Sequence, residues 1–326
     1  MKTKYIPFFV SILLMISCEK EVEFNRTKTE PIVTLNGILM TDTTFSINLS
    51  KSRFFLDSSR SFPSIEDADV VLTSGEHTEQ MKYIGNGNYT SDHIFQTGDR
   101  VELKATIPGF PTVSAVAKIP AKPQAGEITT EKNYSESTIQ QWDYNGPVDI
   151  GVAVYQDVKF KLPITDNGKE KNYYRIVVLK VEHYSENTQQ LYLSNFTDAV
   201  FNTDSSEDFF GIEEQSNGYN IFTDVLFNSS TYNLTFNDRI FKEVKLLPQY
   251  EEYEYRYTIP DRVVYHIEIQ QLSYEYFLYL KTRNAENNSD DNPFMEPIQI
   301  FSNIENGTGI LGGVAVTKRV VDVNIL

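Results

Sequence analysis

Met81-Lys82-Tyr83-Ile84-Gly85-Asn86-Gly87-Asn88-Tyr89-Thr90 is the stretch whose reading decides the fold. An Asn-Gly pair between two short runs of strand-forming residues suits a tight hairpin, because it tolerates the positive φ angles such a turn requires. Working outward, Pro31 to Met40 alternates well enough for a half-buried strand. Phe45, Ile47 and Leu49 follow at period two, with Ser46, Asn48 and Ser50 between them. Asp69 to Leu72 is a third strand candidate. Thr97-Gly98-Asp99 turns into Val101, Leu103, Ala105 and Ile107, and Val113 to Ile119 closes the set. Roughly seven strands with turns every 8 to 12 residues predict an immunoglobulin-like β-sandwich over residues 28–122.

Ile119-Pro120-Ala121-Lys122-Pro123 reads as an exit, since proline restricts its neighbours to extended conformations. Residues 123–148 are polar and poorly patterned, and are expected as a connection with one strand near Glu127 to Thr130. A second β-rich unit is expected over 149–326. Val152, Val154 and Tyr155 lead into Val158, Phe160 and Leu162, and Tyr173 to Val181 suits a central strand. Val263 to Ile269 continues the pattern after Pro260-Asp261. One helix is predicted, with Ser273 as N-cap and Tyr274 to Asn287 following. Its Tyr276, Phe277 and Leu280 form an apolar stripe with Ser273. Glu296 to Phe301 and Leu311 to Val321 read as final strands flanking a Gly-rich turn. The fold class is therefore mainly β: an N-terminal immunoglobulin-like β-sandwich followed by a β-rich domain with one α-helix.

Composition agrees. Tyr and Phe number 20 and 21 against a single tryptophan, Trp142, and both are favoured in strands. The 326 residues are ample for two cores. Net charge is −16, and no Lys/Arg cluster offsets it, so binding to a nucleic-acid phosphate backbone is not expected.

The first residues carry an address. Lys2 and Lys4, an apolar run from Ile6 to Ile16 and a small residue before Cys18 have the form of a secretory signal over 1–17. The run is too short to span a bilayer, which takes about 20 residues. Cys18 is the one cysteine of the chain and sits where a lipoprotein signal peptidase would need it. The segment resembles a bacterial lipobox, which implies acylation, palmitate included, of Cys18 and a tether over 18–27. Glu19, Lys20, Glu21 and Glu23 resemble a surface-export signal of Bacteroidota lipoproteins. With no other cysteine, folding must rest on packing rather than on disulfides.

Motifs for catalysis are absent from the sequence. The four histidines, His77, His93, His183 and His266, have no metal-site spacing. There is no Gly-x-Ser-x-Gly elbow, and the glycines near residues 85 and 307 read as turns rather than as phosphate cradles. The acidic runs Asp204–Asp208 and Asp290–Asp291 lack the EF-hand register and read as solvated loops. No catalytic residue, metal or cofactor is assigned. Tyr253, Tyr255 and Tyr257 alternate with Glu252, Glu254 and Arg256, placing three tyrosines on one strand face as a candidate binding face. Tyr274, Tyr276 and Tyr279 of the helix are further candidates, against a plainer role in packing the helix on the sheet.

Four stretches together resemble a Bacteroidota lipoprotein family known only as domain-of-unknown-function family 4249. They are Pro31 to Gly37 with Leu49-Ser50-Lys51-Ser52; Ile65 to Val70; Gly87-Asn88-Tyr89 with Gly98-Asp99 and Ile119-Pro120; and Leu272 to Tyr276 with Pro297-Ile298 and Ser302 to Gly307. The last is the most specific. The resemblance implies an outer-membrane lipoprotein, held to the membrane by acylated Cys18, facing the cell exterior and often encoded beside a TonB-dependent receptor. The family offers no catalytic residues to carry over. The expected function is that of a non-enzymatic accessory or ligand-capturing subunit of a TonB-dependent nutrient-uptake receptor. The alternatives are a stand-alone glycan- or peptide-binding surface lipoprotein and, less favoured, a carboxylate-dependent hydrolase.

Overall fold

Period-two alternation builds most of this molecule, and its consequences are visible in a computed structural model that describes residues 30–53, 61–144, 146–194, 196–206, 217–250, 258–289 and 298–323. The first eight strands are β1 (Val33–Met40), β2 (Thr44–Lys51), β3 (Asp69–Ser74), β4 (His77–Gln80), β5 (Lys82–Gly85), β6 (Asn88–Ile94), β7 (Arg100–Thr106) and β8 (Val113–Lys118). Along β1 every second residue is buried, and Phe45, Ile47 and Leu49 do the same in β2. These side chains meet Val70, Leu72, Val101, Leu103 and Ala105 of the facing sheet, ordered β4-β3-β7-β8, in one apolar core. The Asn86-Gly87 turn has positive φ at both residues, 52° and 75°. Gly87 is required for a second reason: a Cβ there would lie 2.3 Å from the Leu49 carbonyl oxygen. The same glycine's carbonyl accepts the Leu49 N–H at 2.8 Å, so the turn is stitched to β2.

The second half adds β9 (Gln124–Ala125), β10 (Thr129–Asp143), β11 (Gly146–Thr165), β12 (Tyr173–His183), β13 (Thr188–Leu193), β14 (Ile221–Thr223), β15 (Thr231–Leu246), β16 (Arg262–Leu272) and β17 (Thr308–Val323). The helix, α1, spans Tyr274–Ser289. Strands β10, β11 and β15 form a sheet of their own, with β9 attached to β11. Its Val158, Phe160, Leu162, Leu234 and Phe236 pack against Ile176, Val178, Tyr265, Ile267 and Ile269 in a second core.

The largest sheet runs through both halves, in the order β13-β12-β16-β17-β1-β2-β6-β5, with β14 beside β12. Its keystone is β17, parallel to β1 and antiparallel to β16. Leu311 and Ala315 complete the first core, while Val323 closes the second, with Val321 packed against it. All four lie at odd positions of one strand and so on one sheet face. Both small sheets therefore cover the same face of the large sheet, and α1 lies on the opposite one, over Val314 and Leu272 with Ile38 and Met40 beside them. Backbone hydrogen bonding crosses from the N-terminal strands to the C-terminal ones through β17.

Three local expectations change. The stretch 123–148, expected as a connection, contains β9 and the 15-residue β10. Strand β10 is polar on both faces and is held by backbone pairing to β11, so alternation gave no sign of it. Ile298 to Phe301 is not a strand. The Phe301 N–H is taken by Thr282 Oγ1 at 2.9 Å, and the Asn303 side chain occupies the Leu311 N–H and the Val116 and Leu311 carbonyls. Asp204 to Ser206, the described part of the acidic loop expected over Asp204–Asp208, belong to a 3-10 helix, Ala199–Ser206. Among the described residues no helix is long and apolar enough to cross a membrane.

Candidate functional site

The outer face of the large sheet is divided between a covered half and an open one. Over the covered half, Ser273 Oγ caps α1 by accepting the Tyr276 N–H at 3.3 Å, and it also accepts the Gly313 N–H of β17 at 3.2 Å. The helix sits close because β17 offers a glycine there: a Cβ on Gly312 would lie 2.8 Å from Tyr276 Cβ. Tyr276 and Tyr279 pack into the cluster under the helix, and Tyr274 is half exposed against Tyr173 at 5.2 Å between ring centroids. These helix tyrosines serve packing.

Beyond the helix, none of the described residues covers the face. Strand register places Tyr192, Leu179, His266 and Val320 in one row across β13, β12, β16 and β17. The next row is Gln190, Val181, Val264 and Asp322, and the third is Thr188, His183 and Arg262. Directly opposed residues on one face of a sheet are in side-chain contact range, so the rows form a continuous surface. It is a shallow depression of about 530 Å³ whose floor is Leu179, Val181, Val264 and Val320. Tyr192 is 67% exposed and Val320 62%, so both ends of the first row are open to solvent. Arg262 pairs with Asp322 at 2.5 Å and Lys318 with Glu268 at 2.9 Å, which neutralises the charges at the border. The Arg262 guanidinium holds the Asp322 carboxyl below the usual carboxylate range. An apolar floor with imidazole, hydroxyl, amide and guanidinium groups around it can hold a ligand, and Asp322, the one carboxylate of these three rows, is paired with Arg262.

The carboxylates that the fold does bring together lie elsewhere and are already engaged. Lys180 is buried and reaches Glu182 and Asp238, each at 2.8 Å. The Tyr265 hydroxyl donates to Asp238 at 2.6 Å, and burial beside that carboxylate pushes the phenol far up. Tyr184 donates to Glu182 at 2.8 Å, and burial with this contact moves its hydroxyl to about 12. A second network joins Asp166, Asn172, Asp224 and Gln271, all buried. Asp166 accepts from Asn172 Nδ2 at 2.7 Å, the Tyr174 hydroxyl at 3.1 Å and the Gly168 and Ser229 N–H groups at 2.6 and 3.0 Å. Asp224 accepts the Asn172 N–H at 2.8 Å, and burial near Asp166 raises its affinity for a proton.

Of the residues singled out in the sequence, Cys18, Glu19, Lys20, Glu21 and Glu23 lie outside the described residues, as do Tyr253, Tyr255 and Tyr257. So do Glu207, Asp208, Asp290 and Asp291 of the acidic runs. The four histidines come together in pairs. His77 and His93 stack at 4.2 Å between centroids, with Glu79 Oε2 3.5 Å from His77 Nε2, while His183 and His266 share the depression. Among the described residues no group of three or more His, Cys, Asp or Glu side chains is arranged to hold a metal. Sequence reasoning missed the open face because its members come from four strands and meet only through register. It also missed Trp142, 78% exposed near the end of the β10–β11 hairpin, inside what looked like a connection.

Residues 19–320 match the family model described as "Domain of unknown function (DUF4249)". That match spans nearly the whole chain and agrees with the resemblance read from its motifs. No curated protein matches. A solved structure titled "Structural basis for the promiscuous specificity of the carbohydrate-binding modules from the beta-sandwich super family" aligns at 10% identity, covering 73% of this chain and 94% of that one, with a TM-score of 0.18.

Proposed function

We propose that this chain, which belongs to the DUF4249 family, is a non-enzymatic lipoprotein of the outer-membrane surface that captures a ligand on the open half of its large sheet. The observation that carries the reading is the exposed row Tyr192, Leu179, His266 and Val320 beside a helix that covers the rest of the same face. Tyrosine and imidazole rings over an aliphatic floor suit an amphipathic, uncharged ligand such as a sugar ring or a peptide side chain. Among the described residues, the buried acid pairs are engaged by Lys180 and by the Asn172 network, which favours binding over hydrolysis.

A glycan array and a peptide library probed with the mature protein test the face. Binding should fall about tenfold or more in His266→Ala and Leu179→Lys, as expected when one anchor of a small site is lost. Ligands that bind both variants as they bind the parent would overturn the assignment. Anchoring through Cys18 predicts that labelled palmitate is lost in Cys18→Ala. Outward orientation predicts that alanine at Lys20, Glu21 and Glu23 hides the protein from protease added to intact cells.

The protein is further proposed to serve a TonB-dependent receptor. Recovery of such a receptor with tagged protein from native outer membranes distinguishes this role from a stand-alone glycan- or peptide-binding lipoprotein.

A further inference from the structure

Apart from the two-residue β9 and the three-residue β14, six strands end the three sheets, and they are not equally defended. Unpaired edge strands invite pairing with other chains, and proteins blunt them with charges, prolines, bulges or covering segments. Strand β5 carries Lys82 and an irregular register between Tyr83 and Gly85. Strand β10 carries Glu131, Lys132 and Glu136 and a bulge at Ile139/Gln140. Strand β15 holds Asp238, Arg239, Lys242, Glu243 and Lys245. The four-residue β4 contains Glu79, and β8 is bridged by Glu305, which exchanges backbone hydrogen bonds with Ser114 at 2.8 and 3.3 Å. Strand β13, Thr188-Gln189-Gln190-Leu191-Tyr192-Leu193, has no charge, no proline and no bulge. Among the described residues nothing pairs with its outer side.

Hairpin geometry shows which of its backbone groups are free. The Tyr184 N–H donates to the Asn187 carbonyl at 2.8 Å, so this pair is hydrogen-bonded. In an antiparallel ladder bonded and non-bonded pairs alternate. Glu182 with Gln189, Lys180 with Leu191 and Val178 with Leu193 are then the bonded pairs. Thr188, Gln190 and Tyr192 turn their N–H and C=O groups away from β12. The His183 carbonyl, opposite Thr188, agrees: it points the other way and accepts the Asp261 N–H at 2.7 Å. Leu191, 59% exposed, stands on one side of this free edge and Tyr192 on the other.

We infer that β13 is a strand-addition site, at which an extended, neutral or basic polypeptide segment of another protein pairs with Thr188, Gln190 and Tyr192. Backbone hydrogen bonds would supply affinity, and alternate side chains beside Tyr192 and Leu191 the selectivity. A second copy of this chain is the weaker occupant. Each copy carries a net charge of −16, and a six-residue edge is far short of the roughly 20 to 30 residues a side of a stable interface. The inference rests on the reading of the protein as one subunit of an assembly, and it concerns the edge rather than the open face.

A displayed random-peptide library selected on the full mature protein tests it. Selected peptides should keep their affinity for Gln190→Ala, which retains the outward N–H, and lose about tenfold or more for Gln190→Pro, which lacks it. Gln190 bonds outward, so the proline leaves the β12 ladder intact. Should that variant not fold, amide exchange on the parent decides: bound peptide must slow the Gln190 and Tyr192 amides. Equal binding to both variants, protection at other strands, no enrichment, or self-association abolished by Gln190→Pro would each overturn the inference. Peptides that lose affinity for Gln190→Pro while the open-face variants lose no ligand would retain the edge and refute the face. The reverse pattern would refute the edge alone.

Discussion

The two sandwiches that share the large sheet are built on different chemistry. The first has a mostly aliphatic interior that also holds Phe45, Tyr89 and Phe95, and Ser91 is its one buried residue of the polar types among the described residues. The second stacks Phe160 on Phe236 at 4.6 Å and sets Tyr265 edge-on at 4.7 Å, and it also buries Lys180, Asp166, Asn172, Asp224 and Gln271. In the first sandwich the Tyr89 hydroxyl alone accepts the Ala68 N–H and donates to the Ile65 carbonyl before β3, whereas the second holds the connections between its strands with buried carboxylate and amide side chains. The Asp166 network takes up the N–H groups of Gly168, Asn172 and Ser229, groups that would otherwise be stranded.

The contrast can be broken most forcefully at Lys180. Its replacement by Met leaves Glu182 and Asp238 facing each other without a cation, and should cost about 4 kcal/mol in denaturant unfolding. Adding Glu182→Gln and Asp238→Asn should recover most of the loss. No recovery would mean that packing of the lysine stem, not charge, is what matters. In the first sandwich Leu103→Ala should cost about 3 kcal/mol through the cavity it leaves, with no dependence on pH. Because β17 closes both cores, that variant should still unfold in a single transition detected alike by tyrosine fluorescence and far-ultraviolet circular dichroism. Two separated transitions would show that the sandwiches are independent.

Asp198 sharpens the comparison by pH. Burial disfavours its charge, but hydrogen bonds from Tyr232, Thr235 and Val200 outweigh this and hold its carboxyl below the usual range. A depressed folded value means stability that is present above the unfolded value of 3.8 and is lost as pH falls through the folded one. Asp198→Ala should therefore cost about 2 kcal/mol at neutral pH and progressively less in acid. Asp224 has the opposite sign. Burial and the nearby Asp166 raise its value, so stability falls as pH rises from 3.8 through the folded value, and the cost persists at neutrality. Asp224→Asn keeps an acceptor for the Asn172 N–H and removes the like charge, and should stabilise by about 1 kcal/mol at pH 7. Calorimetry at pH 7 and in acid checks both signs.

Much of the fold was legible where alternation is strong. Strands β1, β2, β7 and β8, the Asn86-Gly87 hairpin, the central β12 and the cap of α1 at Ser273 lie where the pattern put them. Strand β10 was not legible, because Thr129 to Asp143 buries neither face and owes its extension to β11. The candidate site was hardly legible at all. Leu179, His266 and Val320 are unremarkable in their own segments, and the tyrosines that stood out at 253, 255 and 257 lie outside the described residues.

The sequence alone determined much of the local backbone: which alternating segments extend, where glycine and asparagine turn them, and where serine starts α1. Motifs spread along it resemble the family whose model matches residues 19–320. Tertiary structure decided that one strand, β17, closes two cores, that the histidines meet in pairs, and that half of a sheet face and one uncharged edge are left uncovered by the described residues. Alternation and turn propensity act over a few neighbouring residues. Register and sheet order are set by which distant strands bury each other's apolar faces, and no single segment records that choice.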